Sequence, residues 1–228
     1  FKSEVDALVD KGEKKEIAIL HVIREYIVAS ERILFEGDGY SEEWAQEAEK
    51  RGLENIKTTP AALDAMVTDK AKKLFSENNV YTHEELEARH DIELEKYIKK
   101  VQIESRLMGE IASSQILPPS IRYQNLLAKN IISLKNLGIE ESAYANQHQI
   151  LQKISVHINS LSDLVEQMIE ARKKCNVIED NRNKAISYGK DVKDEFFDKI
   201  RYHADKLELL VDDREWYLPK YREMLFLR

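Results

Sequence analysis

ISVHINSLSDLVEQMIEARKKC, Ile154 to Cys175, decides the fold. Ile154, Ile158, Leu161, Val165, Met168, Arg172 and Cys175 recur at steps of four and three residues, apolar everywhere except Arg172. Such spacing keeps side chains on one side of a helix, where they form a heptad seam that packs on another helix. A strand would need alternation of period two, and no segment of the chain sustains it. Upstream, Pro119 to Leu137 reads as a helix closed by Gly138. Downstream, Val192, Phe196, Ile200, His203, Leu207 and Leu210 mark a third amphipathic stripe. Three long amphipathic helices joined by short turns predict an antiparallel bundle and an all-α fold.

The N-terminal part reads as shorter helices. Phe1, Val5, Leu8 and Val9 share one helix face up to Gly12. A second helix, about Lys14 to Leu34, is expected to bury Ile17, Leu20, Ile23, Ile27 and Leu34. After FEGDGYSEEW, Ser41 is a good N-cap for a helix over Glu42–Arg51, closed by Gly52. Thr59 and Pro60 open a helix carrying Leu63, Met66, Val67, Ala71 and Leu74, with Pro60 where a missing N–H is harmless. THEE, Thr82 to Glu85, is a capping box that starts a long helix reaching about Ile116, along Leu86, Ile92 or Glu93, Leu94, Tyr97, Val101 and Met108. Pro118 and Pro119 are expected to break it, which places a boundary nearby.

Composition narrows the function classes. The 228 residues carry a formal charge of -7. That argues against nucleic acid and anionic membrane surfaces, which need a concentrated basic face. No apolar run approaches the ~18 residues that would span a bilayer. The lone Cys175 excludes an internal disulfide and makes a reducing compartment the default. Phe1 opens inside an amphipathic pattern, which suggests a cut from a longer polypeptide.

The candidates for chemistry are few. Glu87 and His90 of EARH share a helix face as in carboxylate-bridged di-metal bundles, but such a site needs the motif on two helices, and an exposed polar face is the plainer reading. His203 lies within an apolar stripe and His157 beside one. Scattered histidines with one cysteine do not supply the three or four convergent ligands of a metal centre. Cys175 on the seam behaves as a small hydrophobe. The glycines of EGDG, Glu36 to Gly39, match neither a calcium loop nor a P-loop, although Phe35, Tyr40 and Trp44 make the region aromatic. Arg172 to Lys174, with acidic residues on both sides, read as a solvated face. No catalytic, cofactor-binding or metal residue is assigned.

The tail, DDREWYLPKYREMLFLR from Asp212, is apolar for a terminus. It holds Trp216, Tyr217, Leu218, Tyr221, Met224, Leu225, Phe226 and Leu227. Left in water these would form a costly patch, so the tail is expected to dock, with Trp216, Tyr221, Leu225 and Phe226 laid across the chain's own body at Phe1–Met108, a neighbouring subunit being the alternative surface.

Four long stretches carry a resemblance. They are FEGDGYSEEWAQEAEKRGLENIKTTPAALD (Phe35–Asp64), KKVQIESRLMGEIASSQILPPSIRYQNLL (Lys99–Leu127), VEQMIEARKKCNVIEDNRNKA (Val165–Ala185) and KIRYHADKLELLVDDREWYLPKYREMLF (Lys199–Phe226). Each resembles the C-terminal region of the type III glutamine synthetases, the long form of glutamate–ammonia ligase. The stretch from Thr59 to Ser105 is also similar to the end of the shorter glutamine synthetases. The resemblance implies that residues 1–108 close the catalytic domain and that 109–228 form a type III-specific helical extension. It implies a parent that joins ammonia to L-glutamate with ATP and Mg or Mn, in the cytoplasm, as a homo-oligomer. The partner of this region would be the catalytic domain of the same polypeptide. None of the ATP-, metal- or glutamate-binding motifs occurs here, so no catalytic residue carries over, and a structural, assembly or regulatory role is expected. The residues alone leave two other readings open, a stand-alone helical protein-interaction module and a di-iron-type bundle enzyme.

Overall fold

The structure is a computed structural model that describes residues 1–226. No β-strand occurs among them, and the chain gathers into two compact units, Phe1–Lys57 and Thr58 onward.

In the first unit, α1 (Lys2–Asp10) and α2 (Lys15–Ala29) form a hairpin. Gly12 makes the turn with φ 97°, a backbone region that penalises any Cβ. Val5, Ala18 and Val22 are the buried core of this hairpin, with Leu8 and Ile19 half-buried beside it. The expected helix to Leu34 stops at Ala29 and continues as a single 3-10 turn, Glu31–Ile33. The stripe expected to be buried is not: Ile17, Leu20, Ile23, Ile27 and Leu34 are all exposed. The helix packs through Ala18 and Val22 instead, because small and β-branched side chains let two short helices approach closely. Ser41 caps α3 (Glu42–Lys50) by accepting from the Trp44 amide at 3.1 Å, and Gly52 closes it with φ 69°. Phe35 stacks on Trp44 at 4.3 Å.

The second unit begins with α4 (Thr59–Leu63), a 3-10 turn (Asp64–Val67) and α5 (Asp69–Glu77). One helix was expected there. Thr68 divides it: its hydroxyl donates to the Ala65 carbonyl at 3.1 Å and accepts from the Ala71 amide at 3.3 Å, capping α5. The cap of α4 is Thr58, one residue earlier than expected, and Pro60 is buried.

Both bonds of the Thr82–Glu85 capping box are present at the start of α6 (His83–Ile111). The expected break at Pro118–Pro119 does not occur. Ala112–Ile116 form a π turn, and α7 (Leu117–Asn136) follows without leaving the helix, both prolines lying at its first positions. A proline breaks an α-helix by its missing N–H and by its ring's clash with a carbonyl one turn back. The wider π turn gives the rings room, and the Ser114 and Ser120 hydroxyls donate to the Glu110 and Ile116 carbonyls. The 108/109 division suggested by the resemblance falls inside α6.

Gly138, φ 74°, turns the chain toward α8 (Ala145–Asn176). Side-chain bonds Asn130–Gln147 (2.5 Å) and Gln124–Ser155 (2.7 Å) lock α7 antiparallel to α8. After α9 (Asn181–Ser187) and a second π segment (Tyr188–Asp194), α10 (Glu195–Leu210) returns along α8. The core runs through Leu94, Ile98 and Val101 of α6, Ile154, Leu161, Val165, Met168 and Cys175 of α8, and Phe196, Ile200 and Leu207 of α10. Buried Tyr188 is held by Asn176 and by Gln102 at 3.0 Å. This is the all-α bundle of long antiparallel helices that the seam predicted, with shorter helices before it.

Candidate functional site

Glu87 and His90 do not act together. Glu87 lies in solvent and pairs with Lys72 at 2.6 Å. His90 is buried, against the expectation of an exposed polar face, and its Nε2 meets Asp64 Oδ1 at 3.3 Å. The same Asp64 accepts a two-pronged pair from Arg182, at 3.0 Å from Nε and 2.6 Å from Nη2. Arg182 beside it, with a smaller contribution from His90, holds the Asp64 carboxyl below the usual range. The cluster ties the 3-10 turn to α6 and α9, and both faces of the carboxylate are occupied by these partners. It pins architecture.

His157 and His203 are brought together by the α8–α10 pairing, Nδ1 to Nδ1 at 2.9 Å. At that distance one ring donates its proton to the other, so the pair holds as long as both do not carry two protons. Burial pushes both below the ordinary histidine value, and for His157 the neighbouring His203 and then Lys206 add to it. Tyr202 packs edge-on to both rings. Among the described residues no acidic side chain bonds to either ring, and a metal site would need further ligands. Sequence showed each histidine by its own stripe. The pairing depended on the rotation of α8 against α10, which no local pattern encodes.

Cys175 is fully enclosed on the seam, and burial, then Asp191, pushes its thiol up, the reverse of what a nucleophile needs. Among the described residues no three His, Cys, Asp or Glu side chains converge as metal ligands, and no helix is long and apolar enough to cross a membrane.

The tail docks, though differently from the expectation. Trp216 is buried and joins the main core with half-buried Leu218, while Leu225 and Phe226 are 80% and 79% exposed. Leu227 lies outside the described residues. Pro219 ends the turn that follows α10, and α11 (Tyr221–Met224) then lies beside α10. Tyr221 receives a bond from Arg201 at 2.5 Å and donates to Asp205 at 3.2 Å, while Arg122 pairs with Glu215 at 3.0 Å. Between the end of α6, α10 and the tail runs an apolar groove of about 610 Å³, with Met108, Ile111, Ile200 and Trp216 in its lining. The buried Trp216 Nε1–H has no partner among the described residues.

The described residues define a helical region built of packed α-helices. Comparison with known proteins says of which family. The model of the glutamine synthetase C-terminal domain matches residues 18–135, more than half of the chain, and the chain belongs to that family. It is 42% identical over 229 residues to a glutamine synthetase of Bacteroides fragilis (strain YCH46), covering 99% of the chain and 31% of that relative. It is 29% identical over 221 residues to a type-3 glutamine synthetase of Dictyostelium discoideum, covering 96% and 30%. A glutamine synthetase of Butyrivibrio fibrisolvens is 30% identical over 215 residues, covering 94% and 30%. The chain thus spans less than a third of the length of these relatives, and the family indicated by the resemblance is borne out.

Proposed function

We propose that this chain is the C-terminal helical region of a type III glutamine synthetase and serves its parent in structure, assembly or regulation. The parent reaction is the ATP-dependent ligation of ammonia to L-glutamate, with Mg or Mn, in a cytoplasmic homo-oligomer whose catalytic domain is the partner of this region. One observation carries the reading: nearly the whole chain aligns, but to less than a third of each relative. The chemistry agrees with it. Activating glutamate through an acyl-phosphate needs several carboxylates holding divalent metal around phosphate in a site that excludes water. Asp64, the most heavily bonded carboxylate of the described residues, is already held by Arg182 and His90.

The test compares two purified proteins in a γ-glutamyl transfer assay, the 228-residue chain and the longer natural polypeptide that contains it. The longer protein is expected to turn over and the chain alone to stay at background. Turnover by the chain alone, or none by the longer protein, overturns the reading.

A further inference from the structure

Helix α2 is apolar on both sides. Ala18 and Val22 pack inward on α1, at 0% and 1% exposure. Around the rest of the helix Ile17, Leu20, Ile23, Ile27 and Val28 stand 39–63% exposed. At about 100° per residue these five fall on one arc, interrupted by Glu16 and Arg24. A helix on a water-facing surface keeps its outer side charged, whereas one that is apolar all round belongs inside a larger structure. The contrast within this chain is direct: the outer side of α8 carries Lys153, Asp163, Glu166, Glu170, Lys173 and Lys174.

We infer that the outer face of α2, from Ile17 to Val28, is an interface buried in the longer polypeptide, seated on an apolar surface of the part that lies outside this chain. The inference rests on the proposed function and names the surface through which the region joins its parent. The occupant follows from length. The three relatives hold more than two thirds of their sequence beyond the match, so most of the folded surface available to cover α2 in such a protein lies there. The family match begins at Ala18, inside α2, so the helix belongs to the domain that the family shares. A segment of the same polypeptide covers the face without the loss of translational and rotational freedom that a second molecule incurs. A lipid surface fits poorly, because interfacial helices set a Lys- and Arg-rich face against the apolar one. Here the opposite face is packed on α1, and the chain carries a formal charge of -7.

The experiment places Leu20→Cys in the 228-residue chain and in the longer natural polypeptide, and follows maleimide labelling by the mass of the peptide carrying residue 20. Buried Cys175 gives little background in either protein. The expected result is rapid labelling in the 228-residue chain and labelling at least tenfold slower in the longer polypeptide, independent of protein concentration. Equal rates overturn the inference. So does slow labelling already in the short chain, or protection that grows with concentration, which would make a second copy the occupant. Ile27→Cys repeats the measurement on the same face should Leu20→Cys disturb the fold. Transferase activity of the unsubstituted longer polypeptide is read in parallel. Equal labelling in a ligase-active protein sinks the interface alone, absent activity sinks the functional reading alone, and a natural gene product no longer than this chain sinks both.

Discussion

Helices α2 and α8 each carry an apolar stripe, and the two stripes meet opposite fates. On α8 the stripe closes: Ile154, Leu161, Val165, Met168 and Cys175 are at most 4% exposed, against α6, α7 and α10. On α2 the residues of the expected stripe stay in water, and the helix is held by two small side chains from the other side. The difference teaches that an apolar stripe states what must be covered and is silent on what covers it. The seam of α8 finds its partners in α6, α7 and α10 of the same unit. The outer face of α2 finds none within its own unit, and in a protein three times longer it need not.

Substitutions can break or sharpen this contrast. The largest effect belongs to Leu161→Asp, which sets a charge inside the closed seam. It should lower unfolding free energy by ~4 kcal/mol or more, because an unpaired charge is left without water or counter-ion. Urea unfolding checks it, and a midpoint like the parent's would mean that the seam is not the core. Trp216→Ala should remove about 3 kcal/mol, a little less than a typical buried Trp because its orphaned N–H disappears too. Phe226→Ala beside it should change the same midpoint hardly at all, and similar losses from both would show that the tail docks by its tip.

The histidine pair comes next. Both rings are held below their ordinary value in the folded chain, so the unfolded chain binds the extra protons first. Stability is therefore full above pH ~6.5, the unfolded value, and falls as pH drops through it toward the lower folded values. A His157→Leu/His203→Leu variant should lose that slope between pH 8 and 5 in thermal melts. An unchanged slope would place the proton uptake elsewhere. The smallest effect is Leu20→Asp: in the 228-residue chain it should stay within about 0.5 kcal/mol, as surface changes do. A large loss there would mean that the outer face of α2 is already covered.

Much of the architecture was legible where the signal is local. Gly12, Gly52 and Gly138 all end helices with positive φ, and Thr82 with Glu85 forms the box that its spacing announced. Stripes gave the bundle and its long helices. Errors arose where a local signal was overruled by its neighbours. Pro118–Pro119 read as a break, but a π turn just ahead absorbs both rings. The stripe from Leu63 to Leu74 read as one helix, but Thr68 divides it by capping α5. His90 looked exposed because its partner, Asp64, lies 26 residues away along the chain, and the Arg182 that holds Asp64 lies farther still. The family was legible through long stretches of resemblance, not through periodicity. The His157–His203 contact could not be read from any local pattern.

The π turn at Ala112–Ile116 gives the chain an unequal tolerance to changes of length. A π turn holds one residue more than the α turn it replaces. Removing a single residue there would restore an ordinary α turn and leave what lies beyond nearly in register, whereas removing one from the regular part of α6 would rotate everything beyond it by about 100°. In that second case Leu127 would swing away from α8, and the Gln124–Ser155 tie would part. A residue added or lost beside Gly138, where the chain is already turning in solvent, rotates no helix against another. In the regular turns of the long run from His83 to Asn136, residue count is therefore a structural coordinate in its own right, as constrained as any buried side chain.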